Sequence, residues 1–172
     1  MARNIELKAR VRDWDRQRAL AATLSDRPAE QLDQEDTFFQ VPHGRLKLRV
    51  EAPDAGELIY YERADAPHVR VSDYARVPTT APAALAHALG KALGVRGVVR
   101  KRRTLYRVGR TRLHFDEVDG LGQFMEIEVV LRADEGSAAA EAEARALCAA
   151  LGIDAADIIA GAYVDLLARR TA

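Results

Sequence analysis

Charged side chains occupy alternate positions along one predicted strand after another. In the first segment, Ile5 and Leu7 alternate with Glu6, Lys8 and Arg10. Successive side chains of an extended strand point to opposite faces of a sheet, so this segment has one apolar face and one charged face. Later segments repeat the pattern, and their polar positions are nearly all Arg, Lys or Glu. Any fold for this chain must therefore accommodate charged sheet faces.

Short strands joined by turns make up most of the chain. The predicted strands after the first are 37–41, 45–50, 57–63, 68–74, 95–103, 104–108, 112–117 and 124–131. Gly109-Arg110 and Asp119-Gly120 are placed at hairpin turns. The predicted helices begin at about Asp13 and cover 82–93, 137–151 and 154–169. Many hairpin-linked strands with a few helices predict an α+β fold, either an antiparallel barrel or a highly curved sheet.

The charged strand faces point either to solvent or to the interior. One face of an antiparallel sheet is usually solvated. Here, however, the apolar stripes of the helices would cover the other face and leave the charged one inside. Buried charge is tolerated only in a wet interior or against a compensating ligand. The sequence therefore predicts an internal binding site.

Arginine and lysine suit a polyanion, because a guanidinium can bind phosphate through two hydrogen bonds. Glu126 and Glu128 share one strand face. They offer the hard oxygen ligands that Mg²⁺ or Mn²⁺ prefers. The combination predicts a site for phosphate together with a metal.

Composition limits the other classes of function. The chain has 172 residues, enough for one domain over 1–172, and equal numbers of basic and acidic residues, 26 each. Its apolar stretches are too short to cross a bilayer, and Cys148 is its one cysteine. We expect a buried, inert thiol, a cytoplasmic location and no membrane partner. The basic run 96–112 contains Tyr106 as its one aromatic residue, so an RNA-binding barrel ranks last and no nucleic-acid partner is expected.

The first strand resembles the E-x-E-x-K strand of the CYTH superfamily, the triphosphate tunnel metalloenzymes. Matching segments follow in family order at 36–39, 44–49, 61–63, 99–103, 112–118, 121–128 and 162–167. The resemblance covers essentially the whole chain. It implies a closed tunnel of about eight antiparallel strands with peripheral helices, acting on a triphosphate with Mg²⁺ or Mn²⁺. Segments 93–96 and 116–128 and the C-terminal helices look most similar to class IV adenylate cyclases.

The resemblance also implies residue roles. The implied metal ligands are Glu6, Glu126 and Glu128, with Asp116 as a further ligand. The implied catalytic cations are Lys8, Arg63 and Arg103. The implied substrate-binding residues are Arg10, Arg45, Lys47, Arg49, Lys101, Arg112 and His114.

The resemblance first implies conversion of ATP to cyclic AMP and pyrophosphate. Hydrolysis of tripolyphosphate or thiamine triphosphate is the alternative, and so is a non-catalytic module that binds polyphosphate or nucleotide. Asn4 stands where the family motif has its first acid, which keeps the non-catalytic alternative open because an amide offers a neutral oxygen without charge. Relatives commonly dimerise, so a homodimer is a further open alternative.

Overall fold

Eight antiparallel strands close into a barrel in the computed structural model, which describes residues 2–63 and 70–171. The strands are β1 (Ala2–Arg10), β2 (Glu30–Phe39), β3 (Arg45–Ala52), β4 (Ala55–Arg63), β5 (Arg70–Thr79), β6 (Val95–Val108), β7 (Thr111–Val118) and β8 (Gly122–Val130). Their order around the barrel is β1-β5-β4-β3-β2-β6-β7-β8, and β8 pairs with β1. The predicted closed antiparallel barrel is confirmed.

Four α-helices accompany the described strands. They are α1 (Trp14–Leu24), α2 (Pro82–Leu93), α3 (Ser137–Ala150) and α4 (Tyr163–Thr171). Asp13 caps α1, because its carboxylate accepts a hydrogen bond from the backbone N–H of Arg16 at 3.1 Å. No helix within the described residues is long and apolar enough to span a membrane.

Several strand boundaries differ from the prediction, including that of β5, which continues to Thr79 instead of ending at Tyr74. The residues predicted as two strands, 95–103 and 104–108, form the single strand β6, because pairing with β7 continues unbroken through Arg103 and Thr104. Strand β2 begins at Glu30, earlier than predicted, because its first half pairs with this long β6. The predicted strand start at His68 lies outside the described residues.

The C-terminal segment is the main correction to the predicted elements. One helix was expected over 154–169, but a short 3₁₀ helix (Ala155–Asp157) is followed by a non-helical stretch and then α4. Ile158 forms a β-bridge with Ala9, and the Ile159 N–H donates to the Lys8 carbonyl at 2.9 Å. These contacts extend the chain alongside β1, beyond the residues that pair with β5. Gly161, with φ of 87°, then turns it into α4.

The outward faces of β1, β6, β7 and β8 form the main hydrophobic core beneath α1 and α3. Phe115 is fully buried there, and its ring makes T-shaped contacts with the rings of Trp14 and Tyr106 at centroid distances of 5.5 and 5.7 Å. Ala140 and Ala144 of α3 are also fully buried. Because helices cover the apolar face, the charged faces of these strands point into the barrel.

Replacing Phe115 with alanine should lower the free energy of unfolding by about 3–5 kcal/mol, because it empties a large buried volume that neighbouring rings cannot refill. Chemical denaturation followed by circular dichroism measures this change. As a control, Val77→Ala alters a side chain that is 58% exposed and should change stability by less than about 0.5 kcal/mol. Equal effects from both substitutions would contradict this account of the core.

Candidate functional site

The inward strand faces surround a cavity of about 340 Å³. Its described wall carries more cations than carboxylates. The cations are Lys8, Lys47, Arg49, Arg76, Lys101, Arg103, Arg107 and Arg112, and the carboxylates are Glu6, Glu30, Asp36, Glu51, Glu126 and Glu128. Ten of the predicted site residues lie on this wall: Glu6, Lys8, Lys47, Arg49, Lys101, Arg103, Arg112, His114, Glu126 and Glu128.

Asp36 is the buried centre of the cationic part of the wall. This residue of β2 is 2% exposed and contacts three cations. Its carboxylate accepts from Lys47 Nζ at 2.8 Å, from Arg49 Nε at 2.7 Å and from Lys101 Nζ at 2.9 Å. Burial raises the pKa of Asp36, but Arg49, Lys101 and Lys47 outweigh it and hold this pKa well below its usual range. One negative charge therefore faces three cationic groups, so the cluster has an excess of positive charge that a bound anion would neutralise.

The two lysines around Asp36 titrate near neutral pH. Burial, with the nearby charge of Arg49, lowers the pKa of Lys47 to about 8. Burial also lowers the pKa of Lys101 to about 7, against the attraction of Asp36. A bound anion would stabilise the protonated forms of both lysines, so anion binding here is linked to proton uptake.

Glu126 on β8 joins a second set of cations. Its carboxylate lies 3.2 Å from Lys8 Nζ and 2.7 Å from Arg103 Nη2. Burial raises the pKa of Glu126, but Lys8 and Arg103 outweigh it and hold this pKa well below its usual range. Burial lowers the pKa of His114, whose Nδ1 is 3.7 Å from Glu126. His114 is therefore a neutral wall residue at pH 7.

Glu128 lies among three polar neighbours. It stands opposite Glu6 of β1 in register, and Arg112 Nε lies 2.9 Å from its Oε2. That N–H nevertheless makes no hydrogen bond. Asn4 Nδ2 donates to Glu128 Oε1, whereas the buried Asn4 Oδ1 has no hydrogen-bond partner. This corner of the wall therefore combines carboxylates with an unsatisfied neutral oxygen.

The donor set of this wall fits a hard divalent ion. Glu6, Glu126, Glu128 and Asn4 Oδ1 are all oxygen donors, which Mg²⁺ and Mn²⁺ prefer. Among the described residues, no three His, Cys, Asp or Glu side chains converge as a ready metal cluster. Glu126 and Glu128 instead form ion pairs with Lys8, Arg103 and Arg112.

Asp116, predicted as a further metal ligand, is not on the cavity wall. It is fully buried, and its two oxygens accept from Arg103 at 2.6 Å each. Tyr163 Oη also donates to Asp116, at 2.9 Å. These contacts occupy the carboxylate and make it a residue that positions Arg103.

Three predicted substrate-binding or catalytic arginines are not placed on the described wall. Arg10 is exposed at the end of β1. Arg45 is drawn away to Asp165 of α4, with Nη2 2.9 Å from Oδ2. Arg63 ends β4, and its side chain lies outside what the structure describes.

Tyr163 is a wall residue whose position was not predicted. Its ring lies 3.6 Å below Lys8 Nζ, and Lys8 Nζ also donates to the Gly161 carbonyl at 3.3 Å. Burial and the charge of Asp116 raise the pKa of Tyr163 well above its usual range, so it acts as a hydrogen-bond donor. In the sequence, only the resemblance to the CYTH superfamily at 162–167 indicates that this segment matters.

Comparison with known proteins agrees with this geometry. The CYTH domain family model matches residues 2–163. No curated protein sequence matches the chain. Among solved structures, the PH1012 protein from Pyrococcus horikoshii superimposes with a TM-score of 0.84 at 22% identity, covering 95% of this chain and 98% of its own.

Two further solved structures share the fold. A candidate adenylate cyclase from Vibrio parahaemolyticus has a TM-score of 0.73 at 22% identity, covering 96% of this chain and 97% of its own. The candidate adenylyl cyclase HpAC1 from Hippeastrum, described as having a dominant triphosphatase activity, has a TM-score of 0.63 at 16% identity, covering 94% and 91%. The CYTH family model matches nearly the whole length of this chain, and the chain forms a closed barrel around a charged cavity. This chain therefore belongs to the CYTH family.

Proposed function

We propose that this chain binds a triphosphate inside the barrel and, with a divalent metal, hydrolyses its terminal phosphate. CYTH proteins are metal-dependent enzymes that act on triphosphates. The observation that carries the proposal is the buried group of Lys47, Arg49 and Lys101 around the single carboxylate of Asp36. A multivalent anion would balance this excess of positive charge.

The cations suggest how a triphosphate would lie. The terminal phosphate would meet the buried cations around Asp36, whereas Lys8, Arg103 and Arg112 would contact the remaining phosphates. Arg103 is held in place by both oxygens of Asp116, so it can stabilise developing charge with little reorganisation.

Hydrolysis would proceed by attack of water on the terminal phosphorus. A bond forms from the water oxygen to phosphorus, and the bond to the bridging oxygen breaks, releasing orthophosphate and a diphosphate. When bound, Mg²⁺ or Mn²⁺ supplies electrostatic stabilisation of the phosphoryl oxygens. The cations of the wall stabilise negative charge on the transferred group and the leaving diphosphate. The roles of Lys8, Arg63 and Arg103 as catalytic cations stay predictions from the resemblance.

Hydrolysis is favoured over cyclisation by what the described wall can recognise. Three of its aromatic rings face cations: Lys47 Nζ lies 5.5 Å from the Phe38 ring and 5.9 Å from the Tyr61 ring, and Lys8 lies over Tyr163. The exposed rim carries ion pairs such as Arg107–Glu30, at 2.9 Å. These groups select phosphate rather than a nucleobase. The triphosphatase activity described for HpAC1 is in line with this choice.

ATP cyclisation is the second candidate. The structural similarity to the Vibrio candidate adenylate cyclase favours it, as do Glu6 and Glu128, which lie together where a ribose would follow the phosphates. In that reaction the ribose 3′ oxygen bonds to the α-phosphorus, and pyrophosphate leaves.

Purified protein should release orthophosphate from tripolyphosphate or thiamine triphosphate in the presence of Mg²⁺ or Mn²⁺. Assays of each, and of ATP, should quantify orthophosphate, pyrophosphate and cyclic AMP separately. Cyclic AMP and pyrophosphate from ATP as the main products would replace hydrolysis with cyclisation. Tight binding without turnover of any of the three would identify a binding module.

The substitution Glu128→Gln should lower metal-dependent kcat/KM by at least about a hundredfold, because it removes a charged oxygen donor while keeping the shape of the side chain. The matched control is Glu117→Gln, which changes a carboxylate of β7 that pairs with Arg102 and is not on the cavity wall. The control should retain activity. Unchanged activity of the Glu128→Gln variant would refute the assignment of metal ligands.

Tripolyphosphate affinity, measured without metal, should fall as the pH rises above about 7. Below the pKa of about 7 for Lys101 and about 8 for Lys47, both lysines are protonated before binding. Above these values the bound anion must draw protons onto them, which weakens affinity by up to about tenfold per pH unit for each lysine. Calorimetry at pH 8 in two buffers of different ionisation enthalpy should therefore detect proton uptake.

Two variants test the source of these protons. Lys101→Met should reduce the uptake, whereas Lys91→Met, an exposed position in the last turn of α2, should match the wild type. A wild-type affinity that stays constant from pH 7 to pH 9 would contradict the linkage.

A further inference from the structure

We propose that Asn4 makes metal binding depend on triphosphate: the tunnel binds a divalent ion strongly only when a triphosphate is also bound. This inference rests on the proposed triphosphate site. It concerns the position at which this chain departs from the family motif, and it predicts a coupling between two ligands rather than the identity of either.

Asn4 occupies a buried place beside the carboxylates. It is 2% exposed, stands opposite Ser72 of β5 and Val130 of β8 in register, and lines the cavity. Its Nδ2 donates to Glu128 Oε1, and its Oδ1 is buried without a hydrogen-bond partner. The Asn4 amide is therefore a neutral hydrogen-bond donor to Glu128. The unsatisfied Oδ1 remains as a potential ligand.

The nearby carboxylates are engaged by cations. Glu128 lies 2.9 Å from Arg112 Nε, and Glu126 lies 3.2 Å from Lys8 Nζ and 2.7 Å from Arg103 Nη2. A divalent ion arriving alone would have to displace these cations. Arg112 would then lose its contact with Glu128, and Arg103 would keep only Asp116 of its two carboxylates, in a cavity where unbalanced charge is costly. Metal alone should therefore bind weakly.

A triphosphate removes that cost. Its oxygens can accept hydrogen bonds from Lys8, Arg103 and Arg112, and this exchange releases Glu126 and Glu128 to the metal. Arg112 is prepared for such an exchange, since its Nε lies close to Glu128 but makes no hydrogen bond. Because each ligand lowers the cost of binding the other, the coupling is positive and reciprocal.

Asn4 sets the strength of this dependence. A carboxylate in its place would add a negative charge beside Glu128 and would repel that residue instead of donating to it. The added charge would attract a divalent ion even while Arg112 remained in place. With the amide, the metal gains a neutral oxygen only, and the missing charge has to come from the triphosphate.

The experiment measures Mn²⁺ binding directly, by electron paramagnetic resonance of the free ion, with and without an imido-bridged triphosphate that resists hydrolysis. In the wild type, the protein should bind Mn²⁺ at least about tenfold more tightly when the analogue is present. This comparison is corrected for the Mn²⁺ that the analogue binds in free solution. In Asn4→Asp, Mn²⁺ without the analogue should bind at least about tenfold more tightly than to the wild type, because of the added nearby charge. The effect of the analogue should then shrink.

Gln34→Glu is the matched control. Gln34 is also a buried amide of the cavity wall with an unsatisfied side-chain oxygen, but it lies on β2, across the barrel from β1. It adds the same charge to the same cavity away from Glu128. Mn²⁺ affinity without the analogue should change little. Equal gains in both variants would show that the general field of the cavity, and not position 4, controls the metal, and would overturn the proposal.

A second variant keeps the proposal testable if Asn4→Asp does not fold, as judged by circular dichroism. Arg112→Gln removes the cation that competes at Glu128, and it should also tighten Mn²⁺ binding in the absence of the analogue. Wild-type protein that binds Mn²⁺ equally well with and without the analogue would overturn this inference and leave the proposed function intact. Failure of the wild type to bind the analogue with Mn²⁺ would overturn the proposed function itself.

Discussion

Asp36 holds Lys47, Arg49 and Lys101 within 2.9 Å in the interior of the barrel. Without this carboxylate, three cations would face one another from β3 and β6 in a desolvated space, and their repulsion would oppose closure of the sheet. With it, the wall is stable enough to form yet remains under-neutralised. The pKa values of about 8 for Lys47 and about 7 for Lys101 reflect both effects, because burial lowers these values and Asp36 raises them.

The charged cavity wall and the apolar outer face together constrain the register of the strands. On β1 and β7, strand alternation places an apolar residue that faces outward beside a polar residue that faces the cavity, as with Leu7 beside Lys8 and Phe115 beside His114. A slip of one residue in register would place charge under the helices and apolar groups around the cavity. The hydrophobic core beneath α1 and α3 therefore fixes the register, and the register in turn places the binding groups. Stability and binding use opposite faces of the same strands.

The sequence was sufficient for the parts of the fold that local periodicity controls. Alternation in β1 and β7 and the hairpin glycines predicted their elements, and the barrel and most of its wall followed. The long β6 was divided in error, because nothing in its own residues shows that β7 keeps pairing past Arg103. The final helix was extended too far, because its interruption depends on pairing with Lys8 and Ala9, which are distant in the sequence. The partners of charged residues cannot be read from local sequence either: the contacts of Asp116 with Arg103 and of Arg45 with Asp165 join residues on different elements.

Those distant contacts connect α4 to the centre of the site. Tyr163 donates to Asp116, Asp116 holds Arg103, and Arg103 contacts Glu126, which Lys8 also contacts. Lys8 in turn rests on the ring of Tyr163, so the chain of contacts closes on itself. Each member restrains the next, and the two cations keep fixed positions while their carboxylate partner remains exchangeable. A wall built in this way can transfer its cations from carboxylate to phosphate without losing the scaffold that orients them, because Asp116 and Tyr163 keep their own contacts throughout.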